Sequence, residues 1–65
     1  MHLGRVKCFF EGRGYGYIED NEGREVYFHL TSVEMTDDNI STGSNVYFDM
    51  ISTGMGFEAL RVRFA

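Results

Sequence analysis

Apolar and polar positions alternate in short runs along this chain, and each run ends at glycine or at a cluster of acidic and amide residues. A period of two marks strands that bury one face. The first run, Arg5-Val6-Lys7-Cys8-Phe9-Phe10, closes at Glu11-Gly12-Arg13-Gly14, where two glycines permit a tight turn. In the second, Tyr15 to Glu19, the side chains of Tyr15, Tyr17 and Glu19 share one face, and Gly16 and Ile18 share the other. Asp20-Asn21-Glu22-Gly23-Arg24 is a turn, and the third run, Glu25 to Leu30, sets Tyr27 and His29 opposite Val26 and Phe28. The connection from Thr31 to Thr42 has room for one helical turn capped by Thr31 or Ser32, but not for a stable helix. Val46 to Ile51 predicts a fourth strand and Phe57 to Phe64 a fifth, joined by the glycine turn Ser52 to Gly56.

Five short strands in 65 residues predict one all-β domain, residues 1–65. A flat sheet this small leaves an apolar side wet, whereas closure into a barrel buries that side and hides the edges. Val6, Ile18, Val26, Phe28, Val33, Val46, Phe48, Ala59, Leu60 and Val62 are the core candidates. Gly16, inside a strand, marks a bend or a close backbone approach.

Six Phe and four Tyr exceed what one small core needs. Tyr15, Tyr17, Tyr27 and His29 fall on the outer side of two neighbouring antiparallel strands, where their rings can stand together as a platform. Nucleobases stack on such rings with little regard to identity, at roughly 1–3 kcal/mol per base. The same pattern is also that of cross-strand pairs whose only role is to stabilise a sheet. Periodicity leaves both readings open.

Charge weighs against a nucleic-acid ligand. Six Lys and Arg face ten Asp and Glu, for a net charge of -4. However, Arg5, Lys7 and Arg13 all lie in the first 13 residues, a basic edge that attracts phosphate locally and is sensitive to salt. Glu19, Asp20, Glu22 and Glu25 form one acidic turn and Asp37-Asp38 another, both read as solvated surface. The single cysteine, Cys8, excludes an internal disulfide and suits a reducing compartment. With no signal-like or membrane-length apolar run, the expected location is cytoplasmic and no membrane partner is expected.

Enzyme chemistry finds little support. Cys8 and His29 supply two metal ligands where zinc needs three or four, and no third group orients them as a catalytic pair. Gly12-Arg13-Gly14 lacks the Lys-Ser or Lys-Thr element of a phosphate loop, and Asp37-Asp38-Asn39 is too short for a calcium loop. No metal, cofactor, small-molecule substrate or catalytic residue is expected.

Gly4 to Ile18 closely resembles the opening of bacterial cold-shock proteins and of the related Y-box domains. Within it, Arg13-Gly14-Tyr15-Gly16-Tyr17-Ile18 is similar to that family's first ribonucleoprotein motif, Lys-Gly-Phe-Gly-Phe-Ile. Val26-Tyr27-Phe28-His29-Leu30 is similar to the second, Val-Phe-Val-His-Phe, at the family's spacing. The resemblance spans essentially the whole chain. It implies a five-stranded antiparallel Greek-key barrel of the oligonucleotide-binding type. It also implies a non-catalytic binder of single-stranded RNA or DNA, acting as an RNA chaperone or a regulator of transcription or translation. Carried over residue by residue, it makes Lys7 and Arg13 phosphate contacts, and Tyr15, Tyr17, Tyr27 and His29 the stacking surface. Leu30 extends that surface, and Phe9 flanks it, partly buried. Strict alternation puts Cys8 beside Val6, whereas the family fold turns this position outward into the site.

Three departures qualify this picture. Cys8 stands where the family has tryptophan, its largest stacking ring. Met35 is a partial substitute for a loop aromatic, and Met55 and Phe57 replace a polar or basic residue and a proline in the last turn. Phe10 and Phe57 are open to either role, stacking group or core. The expectation is a monomer that binds short pyrimidine-rich strands with micromolar or weaker affinity. The rival is a structural or protein-interaction barrel, dimeric through the same outward rings, that has weakened or lost nucleic-acid binding.

Overall fold

The computed structural model describes residues 1–34 and 40–65. These form strands β1 (His2–Phe10), β2 (Tyr15–Asp20), β3 (Glu25–His29), β4 (Asn45–Thr53) and β5 (Gly56–Phe64). They close in the order β1-β2-β3-β5-β4, with β4 returning to β1. Four of the pairings are antiparallel, and the β3–β5 pair that completes the barrel is parallel. The first, fourth and fifth strands are longer than the apolar alternation predicts. The end His2–Gly4 gains ladder bonds to β4 that closure supplies, and Ser52–Thr53 gains them from Gly56 and Phe57 across the β4–β5 hairpin.

Val6, Ile18, Val26, Phe28, Val46, Phe48, Ala59 and Val62 fill the interior. Two of the expected core residues lie elsewhere. Val33 packs at the rim, bridged to Val62, and Leu60 is only half-buried outside the cluster. The reason for Leu60 is an extra residue in β5. Tyr47 opposes Arg63 and Asp49 opposes Leu60, so three residue steps of β5 face two of β4. Arg61 takes φ 55°, a left-handed conformation uncommon outside glycine, and the alternation changes phase there. Ala59 and Val62 both point inward as a result, while Leu60 and Arg61 lie between them on the outer side.

The turn after β2 is a structural element, which corrects its reading as solvated surface. Asp20 is buried; its Oδ1 accepts from the backbone N–H groups of Glu22 and Arg24 at 2.9 and 2.8 Å. Its Oδ2 accepts from Arg24 Nε at 2.7 Å. Burial by itself pushes this carboxyl up, but the bonds from the Arg24 backbone, the Arg24 guanidinium and the Glu22 backbone outweigh it and hold it below the usual aspartate value. The helical turn after β3 is a 3-10 turn, Leu30–Ser32, and its cap is His29 instead of Thr31 or Ser32. The second acidic run, Asp37-Asp38, and Met35 lie outside the described residues.

Asp20→Ala strands two backbone donors and is expected to cost about 1–3 kcal/mol in urea unfolding. Because the folded-state value lies below the unfolded one, the stabilisation is complete above the ordinary aspartate range near pH 4 and fades as pH falls through the folded value. The unfolding midpoints of wild type and Asp20→Ala should therefore converge in acid; a gap that stays constant to about pH 2 contradicts this role.

Candidate nucleic-acid interface

One irregularity in β1 builds the outer face of the barrel. Val6 opposes Ile18 but Cys8 opposes Tyr17, so Lys7 is an extra residue and the strand bulges. Before the bulge Val6 points into the core; after it Phe9 does, and Cys8 and Phe10 face outward. The resemblance anticipated the outward Cys8, and the bulge is its physical cause.

The registers of β1, β2 and β3 then align two rows across the sheet. Phe10, Tyr15 and His29 make one row; Cys8, Tyr17 and Tyr27 make the other. The three tyrosines form a closed cluster with centroid separations of 5.7 Å for Tyr15–Tyr27, 6.0 Å for Tyr17–Tyr27 and 6.2 Å for Tyr15–Tyr17. Phe10, 44% exposed, continues it at 5.2 Å from Tyr15 and is thus a surface ring and not core. All three tyrosines and His29 are half-exposed. Tilted and edge-on pairs leave parts of several ring faces open to a ligand.

The supports of this surface lie beneath it. Gly16 is buried opposite Phe9, and a Cβ there would overlap the Cys8 carbonyl oxygen and stand 2.9 Å from Phe9 Cα. The missing side chain lets Phe9 stack on Phe28 at 5.8 Å, so Phe9 is half-buried as expected but faces the core ring and not the tyrosines. Gly14, at φ 73°, ends the first turn, and its carbonyl accepts from Leu30 N at 2.8 Å, tying that turn to the end of β3. Thr31 N donates to His29 Nδ1 at 3.1 Å, which orients the imidazole and leaves Nε2 as its free edge.

Lys7 on the bulge and Arg13 in the first turn are exposed, and neither has an ion-pair partner among the described residues. Arg24, Arg61 and Arg63, in contrast, are all engaged by carboxylates. Leu30 is exposed beside the His29 row, whereas Met55 and Phe57 lie at the other end, where a cleft of about 530 Å³ opens against Tyr17 and Tyr27. Sequence reasoning missed Glu25 and Glu58 at this cleft, and Arg24, whose guanidinium lies 5.4 Å from the centre of the Phe57 ring. Glu25 shares the outer face of β3 with Tyr27, which the two-residue period already implied. Glu58 is beside Tyr27 only through the parallel pairing with β5, which no local pattern carries. No metal-holding cluster of His, Cys, Asp and Glu, and no helix long and apolar enough to cross a membrane, occurs among the described residues.

A family model of the "cold-shock" DNA-binding domain matches residues 2–65. Cold shock protein CspB of Geobacillus stearothermophilus is 32% identical over 63 residues, covering 95% of this chain and 96% of its own. Cold shock protein 1 of Lactiplantibacillus plantarum is 34% identical over 64 residues, at 95% and 96% coverage. Among solved structures, drosophila Unr CSD456 matches with a TM-score of 0.83 and 25% identity, over 98% of this chain and 26% of that one. The chain belongs to the cold-shock domain family, whose members bind nucleic acids and are not enzymes.

Gly16→Ala is expected to force the first two strands apart, costing about 1–3 kcal/mol and dispersing the tyrosine near-ultraviolet dichroism. An unchanged unfolding midpoint contradicts the close approach.

Proposed function

We propose that this domain holds single-stranded RNA or DNA by stacking successive bases on Tyr15, Tyr17 and Tyr27, and so keeps weak hairpins open as an RNA chaperone does. The observation that carries the reading is the cluster of three half-exposed tyrosines, extended by Phe10 and His29, on one outer face. Single strands are preferred to duplex because paired bases hide their faces. Phe10 supplies part of the ring area that Cys8 lacks, although Cys8 itself leaves the end of the second row without a ring.

Lys7 and Arg13 take the backbone phosphates. Two such contacts on a single strand give a salt slope of about -1.4, at about -0.7 per contact. Leu30 lengthens the surface past His29. The net charge of -4 limits affinity and favours one alternative, a dimer through the same rings.

Titration of a short pyrimidine-rich strand, read by tyrosine fluorescence, is expected to saturate at low salt with micromolar or weaker affinity. Between about 50 and 200 mM salt, binding should fall roughly sevenfold. Tyr27→Ala, which removes the ring touching both other tyrosines, should weaken binding by about 1–3 kcal/mol. Absence of binding at low salt, with concentration-dependent amide shifts at Tyr15, Tyr17 and Tyr27, is the outcome of the dimer reading. Cys8→Trp completes the second row and should tighten binding by a similar 1–3 kcal/mol; no gain means that position 8 lies outside the path of the strand.

A further inference from the structure

Another open ring lies on the flank of the barrel, where β1 pairs with β4. Before the bulge at Lys7, β1 turns Leu3 and Arg5 outward, and the register with β4 sets Leu3 opposite Tyr47 and Arg5 opposite Asn45. Leu3 is 46% and Tyr47 37% exposed, so this apolar pair is no part of the core. Both line a cleft of about 610 Å³, to which Arg5, Asn21 and Asn45 add polar groups. That size is in the range of small-ligand clefts. The backbone around it is fixed. Asn21 N donates to the Leu3 carbonyl at 3.1 Å, tying the β2–β3 turn to β1, and Ala65 N donates to the Asn45 carbonyl at 3.0 Å. Asp20 also borders the cleft, but its carboxylate is engaged by the donors of the turn.

Charge points to the occupant. Arg24, Arg61 and Arg63 lie within 4 Å of carboxylates, whereas Arg5, Lys7 and Arg13 have no ion-pair partner among the described residues. These three belong to β1 or to the turn after it, so unpaired positive charge runs along one strand from that turn, past the bulge, to the Tyr47 cleft. Arg5 follows Lys7 at roughly 6–7 Å, two residues of extended chain. Glu19, the cross-strand neighbour of Arg5, borders the cleft as well but makes no ion pair with it. Resting on the stacking mode proposed above, we infer that a longer bound strand continues down β1 and places one further base in this cleft. The base stacks on Tyr47 beside Leu3, and its phosphate meets Arg5. A tyrosine face accepts any base, and the amides of Asn21 and Asn45 both donate and accept, so the subsite adds affinity without choosing a sequence. A Leu–Tyr pair that only stabilises the sheet has the same exposure, but it is blind to the length of the nucleic acid.

A tetranucleotide, which the tyrosine cluster and His29 can fill, is compared with a decanucleotide of the same pyrimidine on wild type, Tyr47→Thr and Arg5→Gln. Threonine keeps a strand-forming residue at position 47. Tyr47→Thr is expected to leave the tetranucleotide unchanged and to weaken the decanucleotide by about fivefold or more. Arg5→Gln should lower the salt slope of the decanucleotide by about 0.7, the share of one phosphate. On wild type, the decanucleotide but not the tetranucleotide should shift the amides of Leu3 and Tyr47, a readout that needs no variant to fold. Equal effects of Tyr47→Thr on both lengths, or none, overturn the flank subsite and leave stacking on the tyrosine cluster intact. Amide shifts at Leu3 and Tyr47 that follow protein concentration and ignore the decanucleotide assign the flank to contact between copies and overturn it too. Failure of both strands to bind wild type overturns the stacking mode itself.

Discussion

The share of the outer face that the first strand supplies depends on one extra residue in it. A strand of strict period two would carry Val6, Cys8 and Phe10 to the core and leave Phe9 outside. With Lys7 bulged between Val6 and Cys8, the phase reverses, so Phe9 packs on Phe28 while Cys8 and Phe10 face solvent beside Tyr17 and Tyr15. The bulge also presents Lys7 itself. A second phase change at Arg61 does the complementary task in β5, putting both Ala59 and Val62 into the core. A barrel of only five short strands needs such irregularities, because curvature and closure strain a regular ladder.

The same face shows how an acidic protein can belong to a nucleic-acid-binding family. Net charge sums over the whole molecule, but contact with phosphate is local and screened within about 8–10 Å. Arg24, Arg61 and Arg63 lie within 4 Å of neighbouring carboxylates, and the Arg24–Asp20 pair is hydrogen-bonded and holds the β2–β3 turn. Lys7 and Arg13 carry no such partner among the described residues and flank the aromatic rows. With charge so thin, ring area must supply most of any affinity, and the recruitment of Phe10 to the surface is consistent with that division.

Asp20 and Arg24 connect stability to the site. One buried carboxylate organises the β2–β3 turn, and the guanidinium it holds lies against Phe57 at the wall of the cleft. A residue that looks like one of several surface acids therefore holds the turn that leads into β3, and its guanidinium partner reaches a ring on β5.

The alternation of Tyr15, Tyr17, Tyr27 and His29 against Ile18, Val26 and Phe28 was sufficient to predict two neighbouring strands with rings on one side and core on the other, because side-chain direction in a strand follows from the backbone's period. The five strands and most of the core were legible for the same reason. What the pattern could not contain was anything produced by strands meeting at a distance. The bulges at Lys7 and Arg61, which decide the faces of Cys8, Phe10 and Leu60, arise from the mismatch between two paired ladders. Burial of Asp20 and the placement of Glu58 next to Tyr27 likewise exist only once the barrel closes, since a parallel pair between strands far apart in sequence leaves no local periodic trace.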